Sequence, residues 1–181
     1  FRFLGLVMLP IGIGLAVVAP EVIAVLGGVQ WTAAGPILAV LALSILVQGF
    51  FISLGSVLAA AGQAAWLARA SLVNALVMSA SYAVGLYLGQ RWGDAVLGVA
   101  TAYTVTLSCL VFPAYLAFAL RVLRIPVRDW LGQLKISAPA AVGMGVIVLS
   151  GRWLLVSHFA WPAWLLLVIE VALGVVAYSL L

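Results

Sequence analysis

Glu170 is the residue of this sequence whose chemistry is hardest to read as packing. It sits in "LLLVIEVALG", in the middle of an apolar run. An ionisable side chain at the centre of a membrane helix costs about 2.5–3.5 kcal/mol on insertion scales for comparable acids and bases. It must therefore face other helices or a wet cavity. Two readings stay open: a proton or cation site on a polar pathway, or a carboxyl hydrogen-bonded to a neighbouring helix. Arg69 is expected one turn inside the inner interface, where it either snorkels or meets a phosphate. Gln48, Asn74 and the hydroxyl patch Thr101, Thr104, Thr106 and Ser108 both donate and accept hydrogen bonds. That suits sugar recognition and equally suits polar glue between membrane helices.

The other reactive side chains are scattered. Asp94 and Asp129 read as local charge balance, His158 as an interfacial histidine and Cys109 as a small packing residue. No GxxxxGK[ST], HExxH, GxSxG or CxxC pattern occurs, so no catalytic constellation, metal site or cofactor is expected. A transporter rather than an enzyme is the better expectation.

The elements that hold these residues follow from composition. Of 181 residues, 67% are hydrophobic and 7% charged, with a mean hydropathy of +1.35. Soluble domains carry about a quarter charged residues. The class is an all-α, polytopic transmembrane bundle. A β-barrel would alternate apolar and polar residues, and Ile37–Ala42 does not. The net charge of +4 speaks to membrane orientation rather than to nucleic acid, and no nucleic-acid partner is expected.

About 20 apolar residues are needed for each crossing. Cutting at charges, glycines and prolines gives about six spans: 3–26, 35–60, 66–88, 95–120, 137–155 and 161–181. The chain opens on Phe1 and ends inside an apolar run, which reads as the C-terminal transmembrane region, 1–181, of a longer transporter.

Orientation follows from Lys and Arg. The segment 121–135, "RVLRIPVRDWLGQLK", is the most basic loop and is expected on the cytoplasmic side. Alternation then puts Arg2 and Arg69 inside and Arg91 and Arg152 outside, six basic residues against two. Trp66 and Trp130 fall near the inner interface; Trp31, Trp92, Trp153 and Trp161 fall near the outer one. Trp31, Trp66, Trp130 and Trp161 are the expected anchors among membrane lipids. The basic segment has a second reading, as an amphipathic helix on the membrane surface with Trp130, Leu131 and Leu134 dipping in.

Small residues predict close helix packing, which in lipid relies on backbone approach. Ser71, Ala75, Ser79 and Ala83 recur every four residues, Gly85 and Gly89 continue a similar spacing, and Ala141 and Gly145 repeat it. Pro36 and Pro162 suit helix starts. Pro10 and Pro113 lie within spans and should kink them, each freeing a carbonyl.

One stretch carries a resemblance. "APEVIAVLGGVQWTAAGPILAVLAL" has an acidic residue (Glu21), glycines (Gly27, Gly28), an aromatic (Trp31), Ala33, Pro36 and then a Leu-rich helix. "LGSVLAAAGQAAWLAR" places Gly62 and Gln63 after a small-residue run, and "GDAVLGVATAYTV" places Gly98, Val99 and Ala100 at a helix entry. In this order the segments resemble the C-terminal half of the Wzx-type polysaccharide-biosynthesis flippases, of the multidrug/oligosaccharidyl-lipid/polysaccharide exporter superfamily.

The resemblance covers most of 1–121 and implies a great deal. Such proteins have about twelve to fourteen helices in two pseudo-symmetric halves, a repeat design frequent in transporters. They flip an undecaprenyl-diphosphate-linked oligosaccharide across the bacterial inner membrane. The implied partners are that lipid-linked oligosaccharide and the N-terminal half of the same transporter. Gln63 stands where a basic residue is frequent in the family. Basic residues that hold the diphosphate are nearly missing here, Arg69 being the closest. Two other functions fit the same hydropathy. One is a cation-coupled exporter of small organic molecules, with Glu170 as coupling carboxylate. The other is an integral-membrane enzyme of polysaccharide assembly, which short loops disfavour.

Overall fold

A computed structural model describes residues 2–158 and 162–180, together with their side chains except those of 2, 29, 129–131, 133, 134, 136 and 154–158. The described residues are almost wholly helical, with no strand among them. Helix is what this composition dictates, because in hydrocarbon every backbone N–H and C=O must find its partner within the segment. Among the described residues, five helical segments are long and apolar enough to cross a membrane: Phe3–Leu26, Gln30–Ala60, Ala64–Trp92, Ala95–Leu123 and Ala163–Leu180.

The helices are α1 (Arg2–Leu26), α2 (Gly35–Ala60), α3 (Ala64–Trp92), α4 (Ala95–Thr106), α5 (Phe112–Leu123), α6 (Val127–His158) and α7 (Ala163–Leu180). A 3₁₀ helix, Val29–Ala34, joins α1 to α2, and Gly28 opens it at a φ of 81°. The Gly-Gly-Trp stretch is thus more than a two-residue turn. Pro36 lies in the first turn of α2, where its missing N–H is harmless.

Two boundaries depart from expectation. The span expected at 137–155 is the later part of α6, which is 32 residues long and so measures about 48 Å. The basic loop expected over 121–135 is accordingly not a loop. Only 124–126 is non-helical, and Arg128 and Lys135 lie on the first turns of α6. Pro126 accounts for this, since it disfavours helix at Ile125 before it and its ring is compatible with a helix starting at Val127.

The chain forms two compact units, 1–46 with 132–181, and 47–131. The first holds α1, the start of α2, most of α6, and α7. Its core is Val17, Val18, Met144, Val148 and Ala177. Ala141 is fully buried, and a Cβ on Gly145 would lie 2.6 Å from Ile13 Cγ2. The small residues of α6 therefore bring it onto α1, as expected.

In the second unit α3 and α4 pack closely through glycine. A Cβ on Gly89 would come 2.6 Å from Asp94 O, and one on Gly98 would come 2.5 Å from Gly89 Cα. The packing stripe of α3 is Ser81, Gly85 and Gly89, all buried. The stripe Ser71, Ala75, Ser79 and Ala83 is exposed instead. It is offset by two residues, about 200° around the helix. The α3–α4 corner is made by Gly93 at a φ of 86° and by Asp94, whose Oδ1 accepts from Leu97 N–H at 2.9 Å. Asp94 is a helix N-cap, a more specific role than charge balance.

At Pro113 the helix itself adjusts. In a regular helix its ring would press on the carbonyl four residues back. Here the turn Leu107–Val111 is π-helical, and Phe112 N–H donates to Leu107 O. The wider turn takes up the ring and joins α4 to α5 in one continuous span.

Candidate functional site: a buried ion cluster beside an apolar groove

The first unit holds the charge that its helices cannot leave in lipid. Glu170 on α7 is 2% exposed and Glu21 on α1 is 7% exposed. Arg152 on α6 lies between them. Its Nη2 is 2.9 Å from Glu21 Oε1, and its Nε is 4.0 Å from Glu170 Oε1. Its Nη1 donates to Val17 O at 3.1 Å. All three residues lie at matching depth. Glu21, Arg152 and Glu170 are each about 7–11 Å along the axis from the nearest end of their helix. The ends concerned are those of α1 and α6 and the beginning of α7, which share one membrane side in the expected topology.

Proline prepares this place on α1. Pro20 has no N–H, so the carbonyl of Ala16 loses its helical donor. The guanidinium reaches the next carbonyl, Val17 O, and the side chain of the residue after the proline, Glu21. Pro10 does free a carbonyl as expected, that of Leu6, and the structure shows what fills it. Tyr178 Oη on α7 donates to Leu6 O at 2.8 Å.

The cluster is not fully satisfied. Both carboxylate oxygens of Glu170 and Oε2 of Glu21 are buried without a hydrogen-bond partner among the described residues. Two carboxyls share one guanidinium, and Arg152 lies closer to Glu21. Buried charges of this kind are tolerated only when paired, and unpaired oxygens mark a place held for something other than stability.

Glu170 also lines a cavity of about 690 Å³ between α1, α6 and α7. Its walls are almost wholly apolar, with Val7, Ile11, Leu15, Val148 and Val171 among them, and with Tyr178 and Ser179 as the other polar members. Gly14 and Gly174 also line it. An apolar groove with one buried carboxyl in its wall can hold a long apolar ligand, or take up a cationic group at the carboxyl.

The remaining expected residues lie elsewhere. Gln48 is in the second unit, where its Nε2 donates to Tyr103 Oη at 3.1 Å. The ring of Tyr103 stacks on Tyr82. Ser81 Oγ donates to Ala102 O at 3.0 Å and lies 2.7 Å from Thr106 Oγ1. These contacts join helix to helix, the glue alternative. Asn74 is half-buried, and its Oδ1 has no partner. Arg69 is exposed on α3. Cys109, expected as packing, is exposed in the π turn.

Trp31 is 59% exposed in the 3₁₀ helix, as an interface anchor should be. Trp66 is engaged within the protein, stacked on Phe118 at 3.7 Å and edge-on to Tyr115 at 5.1 Å. Trp161 lies outside the described residues, as do the side chains of Trp130, Asp129 and His158.

Glu21 and Arg152 are the functional candidates that sequence reasoning missed. The available signal was depth: each stands as far from its helix end as Glu170 does from the start of α7. The chain matches no protein-family model, no curated protein and no solved structure.

Proposed function

We propose that this chain is part of a transporter that flips an undecaprenyl-diphosphate-linked oligosaccharide across the bacterial inner membrane. The observation that carries this reading is the Glu21–Arg152–Glu170 cluster set against the apolar groove. A diphosphate-sugar head cannot cross hydrocarbon unaided, whereas a polyprenyl tail need never leave it. A groove with apolar walls suits the tail. A set of incompletely paired buried charges beside it suits the coupling of head movement to a proton or cation, with Glu170 the responsive group. The order of the Glu21, Gly27–Gly28, Trp31 and Pro36 stretch, Gly62, and Gly98–Ala100 supports the same family. No step of bond making is needed, so the reading is not an enzyme. The basic segment 121–135 faces the cytoplasm in this reading.

Export of a small organic cation is the second reading, favoured by one observation. Glu170 is the one carboxyl in an almost wholly apolar wall, which is the chemistry a lipophilic cation requires. Reconstitution of the full-length protein in liposomes separates the two. Transfer of a lipid-linked glycan to the opposite leaflet supports the flippase. Ethidium efflux without glycan transfer supports the exporter and overturns the flippase. Within the flippase reading, loss of export in Arg69→Ala at a normal protein level makes Arg69 a phosphate contact, and normal export makes it a snorkelling residue.

A further inference from the structure

Arg124 is the one residue other than glycine that holds a positive φ among the described residues, at 54° with ψ 35°. It closes α5. Its N–H donates to Arg121 O at 3.3 Å, and Ile125 N–H donates to Leu120 O at 3.0 Å. This is the turn in which glycine is ordinarily found, because a Cβ crowds the backbone there. The chain uses glycine at its other positive-φ positions, Gly28, Gly62 and Gly93. A side chain kept in an unfavourable backbone conformation points to a use for that side chain.

The use follows from what surrounds it. Arg121 and Arg124 line a cavity of about 480 Å³, and the rest of its lining, from Ala117 to Val127, is uncharged. Both arginines are exposed, and neither side chain has an ion pair or hydrogen bond among the described residues. The cavity straddles the end of the span Ala95–Leu123, with Ala117, Leu120 and Arg121 inside it and 124–127 beyond it, and so lies where a span meets the membrane surface. Arg128 and Lys135 follow on the exposed start of α6, and across 121–135 four basic residues stand against Asp129.

We propose that this corner binds the phosphate of an anionic phospholipid headgroup. Arg121 and Arg124 grip the phosphate oxygens with guanidinium forks. Leu120, Ile125 and Val127 take the glycerol and the first methylenes of the acyl chains. Basic pockets beside membrane helices recognise lipid headgroups in this way. The site is independent of the cluster around Glu170 and of the transport reading.

The test is lipid binding to the full-length protein in neutral detergent, read by native mass spectrometry. Dioleoylphosphatidylglycerol, dioleoylphosphatidylcholine and inorganic phosphate are the probes. Phosphatidylglycerol is expected to bind at least tenfold more tightly than phosphatidylcholine. Arg121→Gln and Arg124→Gly should each weaken phosphatidylglycerol about tenfold. Arg124→Gly should also keep or raise the thermal midpoint in phosphatidylcholine, because glycine relieves the turn. Unchanged phosphatidylglycerol binding in both variants overturns the site. A lowered midpoint in Arg124→Gly, with Arg121→Gln binding normally, makes Arg124 a structural residue and overturns it too. Displacement of phosphatidylglycerol by millimolar inorganic phosphate would reassign the cavity to a free anion and overturn the lipid.

Discussion

Arg152→Met removes the one cation from the buried cluster and leaves its volume nearly filled. Glu21 then loses its 2.9 Å partner, Val17 O loses its 3.1 Å donor, and Glu170 loses the one charge of opposite sign near it among the described residues. Breaking a buried ion pair from one side costs about 3–5 kcal/mol. Arg152 keeps 29% of its side chain exposed, so the pair is not fully buried and the lower figure, about 3 kcal/mol, applies. For a chain of this size that corresponds to a fall in thermal midpoint of about 6–12 °C. The assay is thermal unfolding of the detergent-solubilised full-length protein. Adding Glu21→Gln to Arg152→Met removes one orphaned carboxylate and should recover about half of the loss, a coupling that independent sites would not show. A single variant within about 2 °C of wild type would refute the reasoning, because it would mean that Arg152 does not hold the cluster together.

Further outcomes follow from single contacts. Gly98→Leu should prevent the close approach of α3 to α4 and destabilise by about 1–3 kcal/mol, or more, in the same unfolding assay, whereas Ala75→Leu on the exposed face of α3 should cost under about 0.5 kcal/mol. Tyr178→Phe should cost about 1 kcal/mol by leaving Leu6 O without its donor. In a Pro10→Ala background, where the helix regains an N–H for that carbonyl, the same change should cost about half as much or less, read as a double-mutant cycle. Asp94→Ala should cost about 1 kcal/mol through loss of the α4 cap.

Much of the architecture is legible in the sequence, because hydropathy and proline act locally. The span expected at 35–60 coincides with α2, where Gly35–Pro36 marks the start and an uninterrupted apolar run does the rest. The role of Pro10 was legible for the same reason, since a missing N–H is a property of one residue. The phase of a packing stripe is not local. Ser71–Ala83 and Ser81–Gly89 both repeat every four residues, and only the partner helix decides which face is used. Gly85 and Gly89 have the stronger claim because they alone lack a Cβ there. The ion cluster was the least legible feature. Arg152 reads as a charge that ends a span, whereas α6 continues to His158. Glu21 and Arg152 meet only because α1 and α6 lie side by side, a fact that no window of sequence contains. The lipid-facing corner at Arg124 shows the same limit, since nothing in "LRIPV" announces a left-handed arginine.

The most direct test of the transport reading is the rate at which Glu170→Gln moves a lipid-linked glycan between leaflets of proteoliposomes, measured beside its thermal midpoint. The substitution removes the charge but keeps the shape of a residue whose oxygens make no hydrogen bond among the described residues, so the fold should be as stable as wild type or more stable. The expected result is a transfer rate reduced at least about tenfold, equivalent to about 1.4 kcal/mol of barrier, at an undiminished midpoint. Transfer at the wild-type rate would contradict it and remove the Glu21–Arg152–Glu170 cluster from the transport mechanism.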